Sequence, residues 1–220
     1  MNTIKIHLVL LALLGCFVLL TSGCGSDSSS SASAPSFVPP AAPIASDEKA
    51  SENAIRFLEN KLEQDPEDFS ASSKLAGLYL QKLRETGNVQ YLDLTFRTAR
   101  ASLASVPEVR NSGGITALAL AEFAAHDFAA ARNHAVRLAE LEPRKSYPQG
   151  ILGDALLELG EYEKAEIAYK KITLLDGGSS YVSETRFARL AQLHGDNQAA
   201  QKHFATALAL ALNQTARAAA

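Results

Sequence analysis

From Ser46 onward the apolar residues of this chain recur at helical spacing, in short runs separated by turn residues. Ser46-Asp47-Glu48 opens the first run, with side chains suited to cap a helix start and to complement its dipole. Ala54, Ile55, Leu58 and Leu62 form its apolar face. Asp65-Pro66 ends it, because a residue before proline is pushed out of helical backbone. Phe69–Arg84 follows, with Leu75, Ala76, Leu78, Tyr79 and Leu83 on one side. A Thr86-Gly87-Asn88 turn leads to a helix over Tyr91–Ser105, stopped by Pro107. Three helix pairs come next: Gly114–Ala125 with Phe128–Leu141, Ser146–Leu159 with Tyr162–Leu175, and Ser183–Leu193 with Asn197–Leu212. Gly113-Gly114 and Gly177-Gly178 read as helix stops between pairs.

The pairs repeat one another. Leu118, Ala119, Phe128, Ala131 and Ala135 recur 34 residues later as Leu152, Gly153, Tyr162, Ala165 and Tyr169. A third copy stands 35 residues further on, where Phe187, Ala188, Gly195, Ala200, Phe204 and Ala207 answer Leu152, Gly153, Gly160, Ala165, Tyr169 and Ile172. A fixed period in this range predicts stacked helix pairs, each burying its apolar face against the next. The earlier pair is divergent: its second helix offers Thr95, Ala99 and Ser102, and about seven extra residues lie between its helices.

These residues resemble the tetratricopeptide repeat (TPR). The fullest copy is Leu152-Gly153, Gly160, Tyr162, Ala165 and Tyr169, and the resemblance spans about residues 47–212. It implies an all-α fold: a right-handed α-solenoid of antiparallel helix pairs, with about four units plus an N-terminal helix. It also implies that first helices line a concave groove for a protein or peptide. Carried over, the groove positions are Ser73, Gly77 and Leu80; Thr116, Leu120 and Phe123; Gly150, Asp154 and Leu157; and Thr185 and Arg189. Leu120, Phe123 and Leu157 would form an apolar strip. On the last helix, Leu208, Leu210 and Leu212 either leave an apolar edge open to self-association or pack inward; inward packing is the expectation.

The N-terminus reads differently. Lys5 precedes an apolar run over Ile6–Leu20, short for a membrane-spanning helix, and Thr21-Ser22-Gly23-Cys24 follows. Met1–Cys24 resembles a bacterial lipoprotein signal, with Thr21 standing where that family usually has Leu. The resemblance implies cleavage after residue 23 and acylation (palmitate among the chains) of Cys24. An ordinary cleaved signal and an uncleaved anchor are the plainer alternatives. By the lipoprotein resemblance, Gly25 in place of the Asp that commonly retains such proteins at the inner membrane implies the outer membrane, facing the periplasm. Gly25–Ala45, rich in Ser and Pro, is expected to be a flexible tether of roughly 25 Å root-mean-square span. The expected organisation is thus a signal over 1–23, an acylated cysteine and linker over 24–45, a solenoid over 46–214 and a frayed tail over 215–220.

Composition narrows the function. A net charge of −3 offers no polybasic surface for nucleic acid. Both cysteines, Cys16 and Cys24, lie in the leader, so the repeat region has no disulfide, thiol nucleophile or thiolate metal site. The histidines His126, His134, His194 and His203 show no HExxH spacing, and no glycine pair belongs to a phosphate-binding loop. The expectation is a non-catalytic envelope adaptor or scaffold without metal or cofactor. A pilotin-like assembly factor for a pilus or secretion machine, a scaffold for cell-wall enzymes and, remotely, a hydrolase using His126 or His194 are the alternatives.

Overall fold

The structure, a computed structural model, describes residues 45–218, with side chains from 49 to 213. The signal, Cys24 and the tether lie outside the described residues. The helices are α1 (Ala45–Gln64), α2 (Phe69–Thr86), α3 (Gln90–Ser105), α4 (Ser112–Ala124), α5 (Phe128–Leu141), α6 (Tyr147–Glu158), α7 (Tyr162–Leu175), α8 (Tyr181–Leu193) and α9 (Asn197–Ala218). A 3₁₀ turn, Glu108–Arg110, precedes α4. No strand occurs among the described residues, and no described helix is long and apolar enough to cross a membrane.

Local chemistry sets most boundaries. Asp68 caps α2 by accepting the Ala71 N–H at 2.8 Å, and Asp127 caps α5 through Ala130 at 3.1 Å. Ser180 and Ser183 form a reciprocal capping box on α8. Gly160 and Gly195 turn the chain inside their units with φ of 77° each. His126 occupies the equivalent turn at φ 62°, so a histidine takes the left-handed position that the other copies give to glycine.

Four expectations shift. The extra residues of the first pair lengthen α2 and leave a short turn at Gly87, whose φ of 67° closes the helix. Gly113 and Gly114 are not helix stops; they form the first turn of α4, because Asn111 Oδ1 accepts the Gly114 N–H at 2.9 Å. α9 continues to Ala218, past the expected end of the solenoid, in an alanine-rich stretch that favours helix. Leu208 and Leu212 do not pack inward: they are 61% and 62% exposed. Ala200 and Ala207 hold the buried face of α9, and the side carrying Leu208 and Leu212 is left uncovered by the described helices.

The core is a chain of clusters rather than one centre. Ile55, Leu58, Leu75 and Tyr79 join α1 to α2; Ala76, Ala99 and Leu118 join α2, α3 and α4; Ile115, Ala135, Leu138 and Ile151 join α4, α5 and α6. Leu156, Leu157, Tyr169, Ile172 and Leu190 join α6, α7 and α8. The small crossing residues Ala119, Ala131, Ala165, Ala188 and Ala200 are buried, as is Gly153. An added Cβ at Gly153 would meet Tyr169 Cε1 at 2.3 Å, so only glycine admits that ring. Phe204, the counterpart of Tyr169, is 43% exposed. Tyr169 is covered by Phe187 of α8, and among the described residues no aromatic ring packs on Phe204 in the same way.

Curvature follows from which helices touch. The first helices contact one another in series, α2 with α4, α4 with α6 and α6 with α8. Each second helix packs mainly against its own first helix and the next one. The first helices therefore line the inner face.

Candidate binding groove

Three adjoining hollows run along that inner face. The first, about 250 Å³, lies between Phe69, Ser73, Lys74, Arg110 and Gly113. The second, about 280 Å³, shares Ser73, Lys74 and Gly113 and adds Gly77, Leu80, Thr116, Leu120 and Tyr147. The third, about 370 Å³, shares Thr116, Leu120 and Tyr147 and adds Gly150, Ile151, Asp176, Val182 and Arg186. Shared walls make them one groove spanning α2, α4, α6 and α8.

Its floor is rigid at the α2 end. Asn111 is buried; its Nδ2 donates to the Ser102 carbonyl at 2.8 Å and to Ser102 Oγ at 2.9 Å. Ser102 Oγ in turn donates to the Phe69 carbonyl at 2.7 Å. Ser73 Oγ donates to the same carbonyl at 2.9 Å and lies 2.7 Å from Ser102 Oγ. This network satisfies buried polar groups across three helices, and such fully paired networks specify one packing.

Asp154 and Arg186 organise the far end. Arg186 Nε donates to Asp154 Oδ1 at 2.8 Å, and Nη2 to Oδ2 at 2.6 Å. This two-pronged pairing ties α6 to α8. The guanidinium lies over Gly150, where an added Cβ would meet Nη2 at 3.2 Å. The Tyr169 hydroxyl donates to Asp154 Oδ1 at 3.1 Å. Burial, then the Asp154 charge, pushes the Tyr169 phenol well above its ordinary value.

The predicted groove residues divide accordingly. Ser73, Gly77, Leu80, Thr116, Leu120 and Gly150 line the hollows. Asp154 is held by Arg186 beside them. The strip Leu120–Phe123–Leu157 does not form one surface. Leu157 is 7% exposed and belongs to the core with Tyr169 and Leu190. Phe123 leans edge-on against Phe128, ring centroids 5.2 Å apart. Thr185 spends its hydroxyl on the Tyr181 carbonyl, 3.0 Å away, and Arg189 is exposed outside the hollows. Lys74, Tyr147, Ile151, Val182 and Arg186 also line the groove and were not foreseen. Asp154 on a largely apolar helix was the one available signal, since a half-buried carboxylate needs a partner.

The histidines sit in structural contacts. His126 stacks edge-on to Phe128 and His194 to Tyr162, at 5.5 Å and 5.7 Å. His134 Nδ1 is 2.7 Å from Glu122 Oε2, and His203 Nδ1 is 2.7 Å from Glu184 Oε2. The Glu122 hydrogen bond holds the His134 ring above its ordinary value, against burial. Burial alone would raise the Glu184 carboxyl; His203 and Ser179 outweigh it and hold it low. Among the described residues no three His, Cys, Asp or Glu side chains gather as a metal set. A separate, larger hollow of about 810 Å³ shares no wall residue with the groove and is walled by Leu174, the Gly177–Ser179 turn, Phe187 and His203.

No family model matches the sequence, and no curated protein matches it. Solved structures do match. A crystal structure of MamA is similar at 19% identity and TM-score 0.57, covering 79% of this chain and 98% of that one. A second MamA structure, from MSR-1, is similar at 21% identity and TM-score 0.55, covering 76% and 91%. A thermophilic TPR protein of Thermus thermophilus, TTC0263, is similar at 21% identity and TM-score 0.63, covering 79% and 91%. At these identities the likeness speaks of fold, and the fold is that of the tetratricopeptide-repeat solenoids.

Proposed function

We propose that this chain is a lipid-anchored, non-catalytic adaptor of the cell envelope that holds a segment of a partner protein in its inner groove. The observation that carries the reading is the continuity of that groove: residues from α2, α4, α6 and α8 enclose three hollows with shared walls. A surface of this kind, apolar with a few placed polar groups, suits an extended or helical segment. TPR folds serve as protein-interaction modules, which supports the same reading.

The anchor rests on the Met1–Cys24 pattern. Acylation of Cys24, followed by the Ser/Pro tether, would hold the groove off the outer membrane in the periplasm; each buried CH₂ of the acyl chains contributes about 0.8 kcal/mol. Palmitate labelling and globomycin-sensitive processing should both be lost in Cys24→Ala. Processing unaffected by the drug, or labelling that survives the substitution, would remove the anchor.

The groove is tested without disturbing the core. Nothing stands within 4 Å of a Cβ added at Gly77, and Tyr147 is exposed. Gly77→Arg with Tyr147→Glu should therefore block the groove while leaving helicity intact. Loss of copurifying protein is expected; unchanged recovery from a folded variant would sink the assignment.

A further inference from the structure

The charges along the groove are segregated. Lys74 and Arg110 are the charged residues lining the first hollow, and Lys74 is the charged residue lining the second. No carboxylate lines either one. Both cations are exposed, and among the described residues neither is in an ion pair or side-chain hydrogen bond, whereas Arg132, Arg137 and Arg186 all have acidic partners. The third hollow is different. Its cation, Arg186, is already neutralised by Asp154, and Asp176 adds a further carboxylate. The apolar middle, with Leu80, Leu120 and Tyr147, separates the two ends.

We infer that the groove is polarised and selects a partner segment with acidic residues on one flank of an apolar core, seated with the acidic flank against Lys74 and Arg110. The inference rests on the groove being the binding face and adds composition and orientation to it. Two uncompensated cations beside an apolar trough attract carboxylates through complementary potential, and they disfavour a basic flank. The carboxylate Asp176 at the opposite end repels the reverse seating. The arrangement does not need a chain-terminal carboxylate, since side-chain carboxylates reach two cations on separate elements equally well.

The test pans phage-displayed random peptides of about twelve residues on the full chain in detergent, with the uncharged Gly77→Gln, which fills the hollow without changing its charge, as the counter-selection. Enriched sequences should carry Asp or Glu on one side of an apolar core. Their affinity for the wild type should fall with added salt. It should also fall by about tenfold or more in Lys74→Glu with Arg110→Glu, a fold-change typical of losing favourable interfacial charge pairs. Circular dichroism checks that this variant is folded, which the exposure of both side chains favours. Enrichment without acidic bias, or affinity unchanged by the charge reversal, overturns the polarity and leaves the groove standing. No enrichment, or peptides that Gly77→Gln binds equally well, overturns both.

Discussion

Single glycines show how far one atom decides the packing. Gly77 and Gly153 both lie inside helices, where alanine is the better helix former by about 1 kcal/mol. At Gly77 a Cβ meets open space, so Gly77→Ala should raise stability by about 0.5–1 kcal/mol. At Gly153 the same Cβ would lie 2.3 Å from the buried Tyr169 ring, so Gly153→Ala should cost about 1–3 kcal/mol despite the propensity gain. Urea denaturation of the two variants gives opposite signs on this account; equal signs would refute it. His134 offers a second test. Its imidazole, raised by Glu122 from an ordinary 6.5, stabilises the fold most fully below that value. The contribution is lost as pH rises through the higher folded-state value. The stability gap between wild type and His134→Gln should therefore be larger near about pH 5.5 than near about pH 8.5. A gap independent of pH would show that the pair is not charged.

Between elements, the Asp154–Arg186 pair is the polar tie from α6 to α8, set beside the apolar contacts of Leu190 with the third unit. Both side chains are less than a third exposed, so the tie should be worth about 1 kcal/mol in a double-mutant cycle on Asp154→Ala and Arg186→Ala. A coupling energy near zero would show that apolar contact alone holds α8 in place. This scale also marks the limit of the sequence pattern. Helix breaks at Asp65-Pro66, Gly160 and Gly195, and the small crossing residues, follow from local backbone chemistry and a 34-residue echo, and the structure agrees with them. The Arg186 partner of Asp154 does not follow, because it depends on the rotation of one unit against the next. Leu157 turned out to be core for the same reason: groove and core positions on α6 differ by part of a helical turn. Leu208 and Leu212 were misjudged because apolar spacing alone does not say which side of α9 the described helices cover.

For the whole molecule, the arrangement of helices yields an inner surface assembled from four elements, α2, α4, α6 and α8. On the reading proposed above, function follows from what the groove admits: apolar side chains at its middle and carboxylates at the Lys74 end. The most direct measurement is site-specific photocrosslinking in cells, comparing Tyr147→p-benzoylphenylalanine within the groove with Leu174→p-benzoylphenylalanine at the rim of the larger hollow. The account predicts a defined adduct from position 147 that disappears when Gly77→Gln is added, and none from position 174. An adduct from position 174 alone, or one from 147 that persists with Gly77→Gln, would contradict it.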